Sequence, residues 1–330
     1  GEGAREARAA GATLVLGEHR RQDFLDADIV VVSPGIPLEQ PDLAAAAAAG
    51  VTVVGELELA ASQLSCPVVA ITGTNGKSTT TTFAGALARA AGLRTFVGGN
   101  LGHALSHGVG DGPHDVAVVE VSSFQLEAAP TFHPRVAAML NLTEDHLDRY
   151  PDFCAYISAK EHVFDNLDDG DTVVYNAADT AVREMVRGVP GRALAFSLAD
   201  HGRDGAFLED GRIVLRGPAG EASIPLDGFP VPGTHNIENL RAAVLCMGEV
   251  GVGADAVAEA LPALAGLPHR MEHVRTLHGV DWFNDSKATN VAATVKTLLG
   301  VGRTAVVLLG GKDKGGEYGP LVEAMAGRVR

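Results

Sequence analysis

The chain has 330 residues, which is enough for two or three domains. Hydrophobic residues make up 46% and aromatic residues only 5%, so the cores must be mostly aliphatic, as in helices packed on parallel strands. The formal net charge of −15 argues against nucleic acid as the main partner but permits one nucleotide in a local loop. Three widely spaced cysteines indicate reduced thiols in a cytoplasmic protein, and no apolar run is long enough to span a membrane.

The first predicted unit, residues 1–62, is the remnant of a small α/β domain. Residues 27–33 form a short apolar run ended by Pro34-Gly35, which predicts a buried parallel strand and a turn. Three further elements are predicted: a helix over 43–49, a strand over 51–54 and a helix over 56–62. Because the chain opens on the end of a helix and closes in a helical stretch, we expect a first strand and a last subdomain to lie outside this sequence.

The second predicted unit, residues 63–266, alternates strands and helices, which implies a parallel sheet with right-handed crossovers. Its predicted strands cover 67–72, 115–121, 136–142 and 172–175, and its predicted helices cover 77–91, 153–167 and 236–250. Asp210-Gly211 between two short strands predicts a hairpin. The third predicted unit, residues 267–330, has strands over 280–283 and 305–309 and a helix over 291–299.

The strongest local signal is the stretch from Thr72 to Thr79, TGTNGKST, which follows an apolar strand and opens a helix. This context suits a phosphate-binding loop, because backbone N–H groups, the helix N-terminus and Lys77 all favour phosphate oxygens. The Ser78 hydroxyl suits Mg²⁺. The general pattern requires a glycine where Ile71 stands, so this is a shortened variant that begins at Gly73. The predicted nucleotide contacts are Gly73, Thr74, Asn75, Gly76, Lys77, Ser78 and Thr79.

Two ionisable side chains follow other predicted strands. Glu120 ends the strand at 115–121, and His146 follows the strand at 136–142. Ligands gather outside the carboxyl ends of strands in an open parallel sheet, so we expect Lys77, Glu120 and His146 to converge on one rim. Ordinary surface positions at a strand end are the alternative for both.

Lys160 takes the missing position on an apolar stripe of the helix at 153–167. It lies three residues after Ile157 and four before Phe164. A lysine there either extends past the edge of the core to solvent or is buried for a functional reason, and the residues alone favour the first reading.

The third unit offers two loops that follow strands. Residues 284–290, NDSKATN, follow one strand and 310–314, GGKDK, follow the next. Arg270, at the junction with the second unit, suits a second clamp on a terminal phosphate. Ordinary strand-to-helix turns remain an alternative for each loop alone.

Together these residues resemble the Mur ligases, and most of all the D-glutamate-adding branch of that family. The ordered motifs are GTNGKST, EVSSFQLE, TEDHLDRY, the helix lysine Lys160, GTHN, LPHRME, NDSKATN and LLGGKDK, and SPGIP at 33–37 joins them. The resemblance spans about residues 29 to 314. It implies a three-domain α/β architecture with a central P-loop parallel sheet and Rossmann-like flanking domains, both ends of which are incomplete in this sequence.

The resemblance also implies roles for individual residues. Lys77 would hold ATP phosphates, Ser78 and Glu120 one Mg²⁺, and His146 with carbamylated Lys160 a second Mg²⁺. Asn236 and Asp285 would lie near the adenosine and Arg270 near the terminal phosphate. Substrate contacts would come from Ser33, Pro34, Gly35, Asn100 and Gln125 for the uridine nucleotide, and from Lys287, Thr289 and Lys314 for D-glutamate or the transferring phosphate.

The implied reaction joins D-glutamate to UDP-N-acetylmuramoyl-L-alanine through an acyl phosphate, with ATP and Mg²⁺, in a cytoplasmic monomer that builds the cell-wall precursor. The family's uridine-gripping turn and the loops that seat glutamate would lie outside this sequence, so we expect the chain by itself to be a weak ligase. A sister Mur ligase or a folylpolyglutamate synthase is the nearest alternative, and NDSKATN argues against both. A P-loop kinase or nucleotide switch, or an inactive chain, is the alternative from another class.

Overall fold

The computed structural model describes residues 2–218, 220–311 and 317–330. The first part of the chain is a small α/β layer in which two short strands pair in parallel, from Ile29 opposite Thr52 to Val32 opposite Gly55. Its elements are α1 (Glu2–Ala9), α2 (Arg21–Leu25), β1 (Ile29–Val32), α3 (Pro41–Ala48), β2 (Thr52–Gly55) and α4 (Glu56–Ala61). Val32, Leu43 and Ala128 form its buried contact, so this layer packs against the segment that follows Glu127.

A nine-stranded sheet forms the centre of the molecule. Its strands are β3 (Val68–Thr72), β4 (Thr95–Gly99), β5 (Val116–Glu120), β6 (Val136–Met139), β7 (Thr172–Asn176), β8 (Arg192–Phe196), β9 (Gly205–Glu209), β10 (Arg212–Gly217) and β11 (Gly220–Pro225). The order across the sheet is β11-β10-β9-β8-β7-β6-β3-β5-β4. The strands from β4 to β9 pair in parallel, while β10 pairs antiparallel with both of its neighbours.

Helices cover both faces of this sheet, and the alternation of side chains along each strand explains why. In β3, Val69 and Ile71 join a core with Phe83, whereas Val68 and Ala70 join a second core on the other face. The helices are α5 (Lys77–Ala90), α6 (Leu105–Gly110), α7 (Ser123–Glu127), α8 (Phe153–Glu161), α9 (Thr180–Met185), α10 (Thr234–Gly248) and α11 (Ala254–Ala260). Every residue of β3 is buried, as a continuous apolar strand predicts.

The last part contains β12 (Glu272–Leu277), β13 (Val280–Asn284), α12 (Val291–Gly300) and α13 (Gly319–Met325). β12 and β13 form an antiparallel hairpin. The strand predicted at 305–309 is wrong, because only Ala305 makes a β-bridge, to Val329. Val306 and Leu308 are exposed there, and without a neighbouring strand a β-prone run cannot satisfy its backbone hydrogen bonds in a sheet.

Several strands were not predicted, because their residues give weak local signals. Among them are β4, β8, β11 and β12. The hairpin at Asp210-Gly211 is confirmed, with β9 and β10 on either side. In the described part of the chain, no helix combines the length and apolar character needed to cross a membrane.

Candidate active site

The glycine-rich loop that the sequence predicts to bind phosphate runs from the end of β3 to the start of α5. Gly73 and Gly76 have φ angles of 138° and 89°, which favour glycine. A Cβ on Gly76 would collide with the Asn239 side-chain oxygen, so the backbone there approaches α10 too closely for a side chain. Lys77 Nζ donates to the carbonyl oxygens of Gly73 and Thr74, both at 2.9 Å, which holds the ammonium group over the loop.

The segment after β6 holds this loop in place. Asn75 N donates to Asn141 Oδ1 and Asn141 Nδ2 donates to Asn75 O, both at 2.8 Å. Thr74 N donates to the Asn141 carbonyl at 2.9 Å, and Thr74 Oγ1 donates to the Thr143 carbonyl at 3.1 Å. Sequence reasoning missed Asn141 as a site residue, although its place shortly before His146 on the same strand end was a usable signal. The hydrogen bonds with Asn141 and Thr143 hold the loop against the segment after β6.

Glu120 ends β5 and is only 3% exposed. Its Oε1 accepts a hydrogen bond from Asn100 Nδ2 at 2.8 Å. Its Oε2 is buried and has no hydrogen-bond partner among the described residues. A buried carboxylate oxygen without a partner is unfavourable unless a cation or donor completes it, so Glu120 fits a cation ligand. Asn100, predicted as a contact of the uridine nucleotide, positions this carboxylate.

Lys160 is 1% exposed, so the interpretation that its amine extends to solvent is wrong. Its Nζ lies 3.5 Å from Thr72 Oγ1, at the end of β3, and 4.8 Å from the centre of the Tyr156 ring. Burial lowers the pKa of Lys160 well below its ordinary value, and the positive charge of Lys77 lowers it further, while Asp145 and Glu120 oppose the shift. The shift makes the neutral amine more accessible than in an ordinary lysine.

Tyr156, which the sequence did not single out, lies between Lys160 and the loop. Its hydroxyl donates to Thr74 Oγ1 at 3.1 Å, and burial raises its pKa, so it remains a neutral donor. Its position four residues before Lys160 on the same helix face was a usable signal.

His146 lies in the segment after β6 and has a φ angle of 56°, which is uncommon for a residue with a side chain. Its ring packs edge-on against Phe124 at 4.9 Å, and its Nε2 lies 3.9 Å from Asp145 Oδ2. Asp145 also accepts from the His146 backbone N–H at 3.0 Å. These contacts hold the His146 imidazole in one orientation. The segment that carries it follows β6, at the same end of the sheet as Lys77 and Glu120.

A cleft extends from the loop between α10 and the last part of the chain. Asn236 lines it and donates to the Pro232 carbonyl, while Asp285 accepts from Met271 N at 3.0 Å and from Thr297 Oγ1 at 2.6 Å. The cleft is lined by, among others, Asn75, Gly76, Thr79, Asn176, Phe196, His235, Asn236, Asn239, Arg270, Asp285 and Lys296. It is the expected place for a nucleoside beside a phosphate loop. His235 and Asn239 are additions to the predicted set.

Burial lowers the pKa of His235 in this cleft, and the positive charges of Lys296 and Arg270 lower it further against the opposing effect of Asp285. His235 therefore remains neutral near neutral pH, which leaves the cationic character of the cleft to Arg270 and Lys296.

Other predicted site residues lie away from this rim or have different partners. Ser33 to Gly35 form a turn after β1, closed by a bond from Ile36 N to the Ser33 carbonyl at 3.0 Å. The Gln125 side-chain oxygen accepts from Ser122 N and Oγ in a capping box at the start of α7. Lys287 and Thr289 are exposed at the loop before α12, and Lys314 lies outside the described residues.

The tight cluster of potential metal ligands among the described residues lies elsewhere. It comprises His133, Asp168 and Asp171, at the opposite end of the sheet. Arg135 Nη1 lies 3.6 Å from Asp171 Oδ1, and His133 Nε2 lies 2.6 Å from Asp171 Oδ2. Asp171 already has His133 and Arg135 as partners, so these contacts account for the cluster as a structural feature of the fold.

Comparison with known proteins agrees with the geometry. Residues 71–247 match the model for the Mur ligase middle domain, and residues 3–55 match the N-terminal domain model described as Mur ligase MurD-like. A UDP-N-acetylmuramoylalanine–D-glutamate ligase of Trichlorobacter lovleyi is 47% identical over 96% of this chain and 71% of its own length. This chain belongs to the Mur ligase family. A ligase of the same name from Geotalea uraniireducens is 46% identical over 95% of this chain and 70% of its own length.

Solved Mur ligase structures share the fold of this ligase. The MurF ligase of Thermotoga maritima in complex with ADP has a TM-score of 0.59 and 18% identity, and the match covers 86% of this chain and 76% of that one. At that identity the likeness supports the architecture alone. The predicted α/β architecture of the family, with its central P-loop sheet, is confirmed.

Proposed function

We propose that this ligase joins D-glutamate to UDP-N-acetylmuramoyl-L-alanine with ATP, in peptidoglycan precursor synthesis. The carrying observation is the rim at the carboxyl ends of β3, β5 and β6, where the Lys77 loop, buried Glu120 and His146 occur together with buried Lys160. The substrate assignment is supported by the name shared by relatives that are 40–47% identical.

An amine cannot readily displace oxide from a carboxylate, because oxide is a poor leaving group. The carboxylate is therefore first converted to an acyl phosphate, from which phosphate leaves. A carboxylate oxygen forms a bond to the terminal phosphorus of ATP, and ADP leaves. The amine nitrogen of D-glutamate then attacks the acyl carbon and loses a proton, and the C–O bond to phosphate breaks. Lys77 and the loop amides neutralise the phosphate oxygens, so positioning and charge account for most of the acceleration.

We further propose Ser78, Glu120, His146 and modified Lys160 as the residues that hold Mg²⁺. The fit is supported by the unpartnered Glu120 Oε2 and by its bond to Asn100, which orients the carboxylate. When bound, Mg²⁺ would neutralise charge on the transferring phosphoryl group.

Carbamylation of Lys160 is part of this proposal. The neutral amine forms a bond to the carbon of CO₂ and releases a proton, which gives a carbamate anion. Burial lowers the pKa of Lys160 and so supplies the neutral amine. The modification exchanges a buried cation for an oxygen ligand of the type that Mg²⁺ prefers.

Remaining roles are assigned by position. Asn236, Asp285 and Arg270 line the cleft and suit the nucleoside and terminal phosphate. Ser33 to Gly35, Asn100 and Gln125 are assigned to the nucleotide sugar, and Lys287, Thr289 and Lys314 to D-glutamate or the phosphate. We also propose functional units at 1–62, 63–266 and 267–330, in a monomeric cytoplasmic enzyme.

Phosphate release with ATP and UDP-N-acetylmuramoyl-L-alanine tests the proposal across a panel of amino acids. Release, even at a low rate, should require the nucleotide sugar and be strongest with D-glutamate. Equal release with L-glutamate or lysine would reject the substrate assignment, and release without the nucleotide sugar would favour a nucleotide switch.

A further inference from the structure

Asn290 immediately precedes α12 and makes contacts on two sides. Its Oδ1 accepts from Ala293 N at 2.8 Å, which caps the helix. Its Nδ2 donates to Asn75 Oδ1 and to Asp145 Oδ2, both at 3.2 Å. One side chain therefore connects the third unit to the phosphate-binding loop and to the segment that carries His146.

We infer that Asn290 is a positioning residue that fastens the third unit to the phosphate-binding loop and fixes the loop and His146 relative to each other. The inference rests on the proposed use of this loop for ATP. Nothing about Asn290 requires contact with a substrate, because it acts through Asn75 and Asp145.

The chemistry of the three partners explains why the residue is asparagine. The Ala293 N–H only donates, so it requires an acceptor, whereas Asp145 Oδ2 accepts here, so it requires a donor. An asparagine amide offers both from one short side chain. Aspartate would cap α12 equally well but would place a second carboxylate against Asp145. Serine would cap α12 but is too short to keep both bonds.

The bond to Asp145 extends the effect to His146. Asp145 accepts from the His146 N–H at 3.0 Å, and His146 has the uncommon φ angle of 56°. Such a backbone conformation persists only where neighbouring contacts hold it. Loss of the Asn290 bond to Asp145 therefore loosens the histidine as well as the loop.

Two variants separate the fastening from helix capping. Asn290→Ser and Asn290→Asp both retain a good cap for α12. A matched control is Asn166→Ser, since Asn166 Nδ2 also donates two bonds, to the carbonyls of Pro130 and Phe132, at the opposite end of the sheet.

For Asn290→Ser we expect the KM for ATP to rise about tenfold, because a hydrogen bond to a charged group is lost. The KM for the nucleotide sugar should stay unchanged. Asn290→Asp should raise the ATP KM further, since two carboxylates would then face each other. Asn166→Ser should leave both KM values unchanged.

Hydrogen exchange without nucleotide separates this inference from the proposed function. Asn290→Ser should increase exchange at residues 73–76 and 145–146, while the amides of α12 keep their protection. If exchange rises but the enzyme does not use ATP, the positioning role of Asn290 is supported and the proposed function fails. If wild-type enzyme ligates normally while the serine variant shows unchanged exchange and ATP KM, the inference is overturned.

Discussion

Charged side chains have different kinds of partner at the two ends of the central sheet. At the amino ends of the strands, acids have basic partners: Asp171 is 2.6 Å from His133, Asp115 is 2.6 Å from Arg94, and Glu249 is 3.1 Å from Arg192. At the carboxyl ends, Glu120 has a buried oxygen without a partner among the described residues, and Lys160 is buried against an aromatic ring.

Both ends belong to the same strands, so the difference in partners comes from the particular side chains at each end and not from the sheet itself. Paired ions at one end join strands and loops, whereas incompletely satisfied groups at the other end are unfavourable without a ligand. We propose that the amino-terminal end serves stability and the carboxyl-terminal end serves chemistry.

The largest expected effect is that of Lys77→Ala. The ammonium group lies over the loop and contributes little to core packing, so its loss should reduce turnover at least about a hundredfold while the fold is retained. Turnover and far-ultraviolet circular dichroism would be measured on the same preparation. Near-normal turnover in a folded variant would remove Lys77 from the phosphate role.

A second large effect is expected at Lys160. Lys160→Ala should lose activity, and short carboxylates should restore part of it by occupying the position of the carbamate. Lys160→Arg should also be inactive, because a permanent cation cannot become a ligand. An unmodified lysine by mass spectrometry under CO₂, or a fully active arginine variant, would refute carbamylation.

The pH dependence of stability provides a further readout at Lys160 when CO₂ is excluded. Burial lowers the pKa of the folded-state amine, so the unfolded state binds more protons between that lowered value and the ordinary lysine value. Stability of the wild type relative to Lys160→Met should therefore rise with pH through this window. A flat difference would show that the amine is not desolvated.

A smaller effect of opposite kind is expected at the amino-terminal end. Asp171, 4% exposed, accepts from His133 and from Asp168 N, so Asp171→Asn should lower the free energy of unfolding by about 1–3 kcal/mol. Turnover per folded molecule should not change, because no proposed site residue lies there. Denaturant unfolding and phosphate release measure the two quantities, and a loss of turnover without a loss of stability would break the comparison.

Sequence reasoning anticipated the sheet and the loop because continuous apolar runs and a glycine-rich turn are local signals. The apolar stripe alone favoured a solvent-exposed Lys160, because one helix stripe does not reveal whether it ends at solvent or under another element, whereas the family resemblance implied a metal-binding lysine there. It placed a strand at 305–309, where apolar residues lack the neighbouring strand that would pair with them. It also omitted Asn141, Tyr156 and Asn290, whose roles depend on hydrogen bonds between distant segments.

The central claim, that the carboxyl-terminal end of the sheet carries acyl-phosphate chemistry, is tested most directly with oxygen-18. UDP-N-acetylmuramoyl-L-alanine labelled in its carboxylate would be incubated with the enzyme, ATP and D-glutamate, and the released phosphate analysed by mass spectrometry. We predict one labelled oxygen per phosphate, because the carboxylate oxygen that attacks phosphorus leaves with it. Unlabelled phosphate would contradict the account, since the terminal phosphoryl group would then have passed to water.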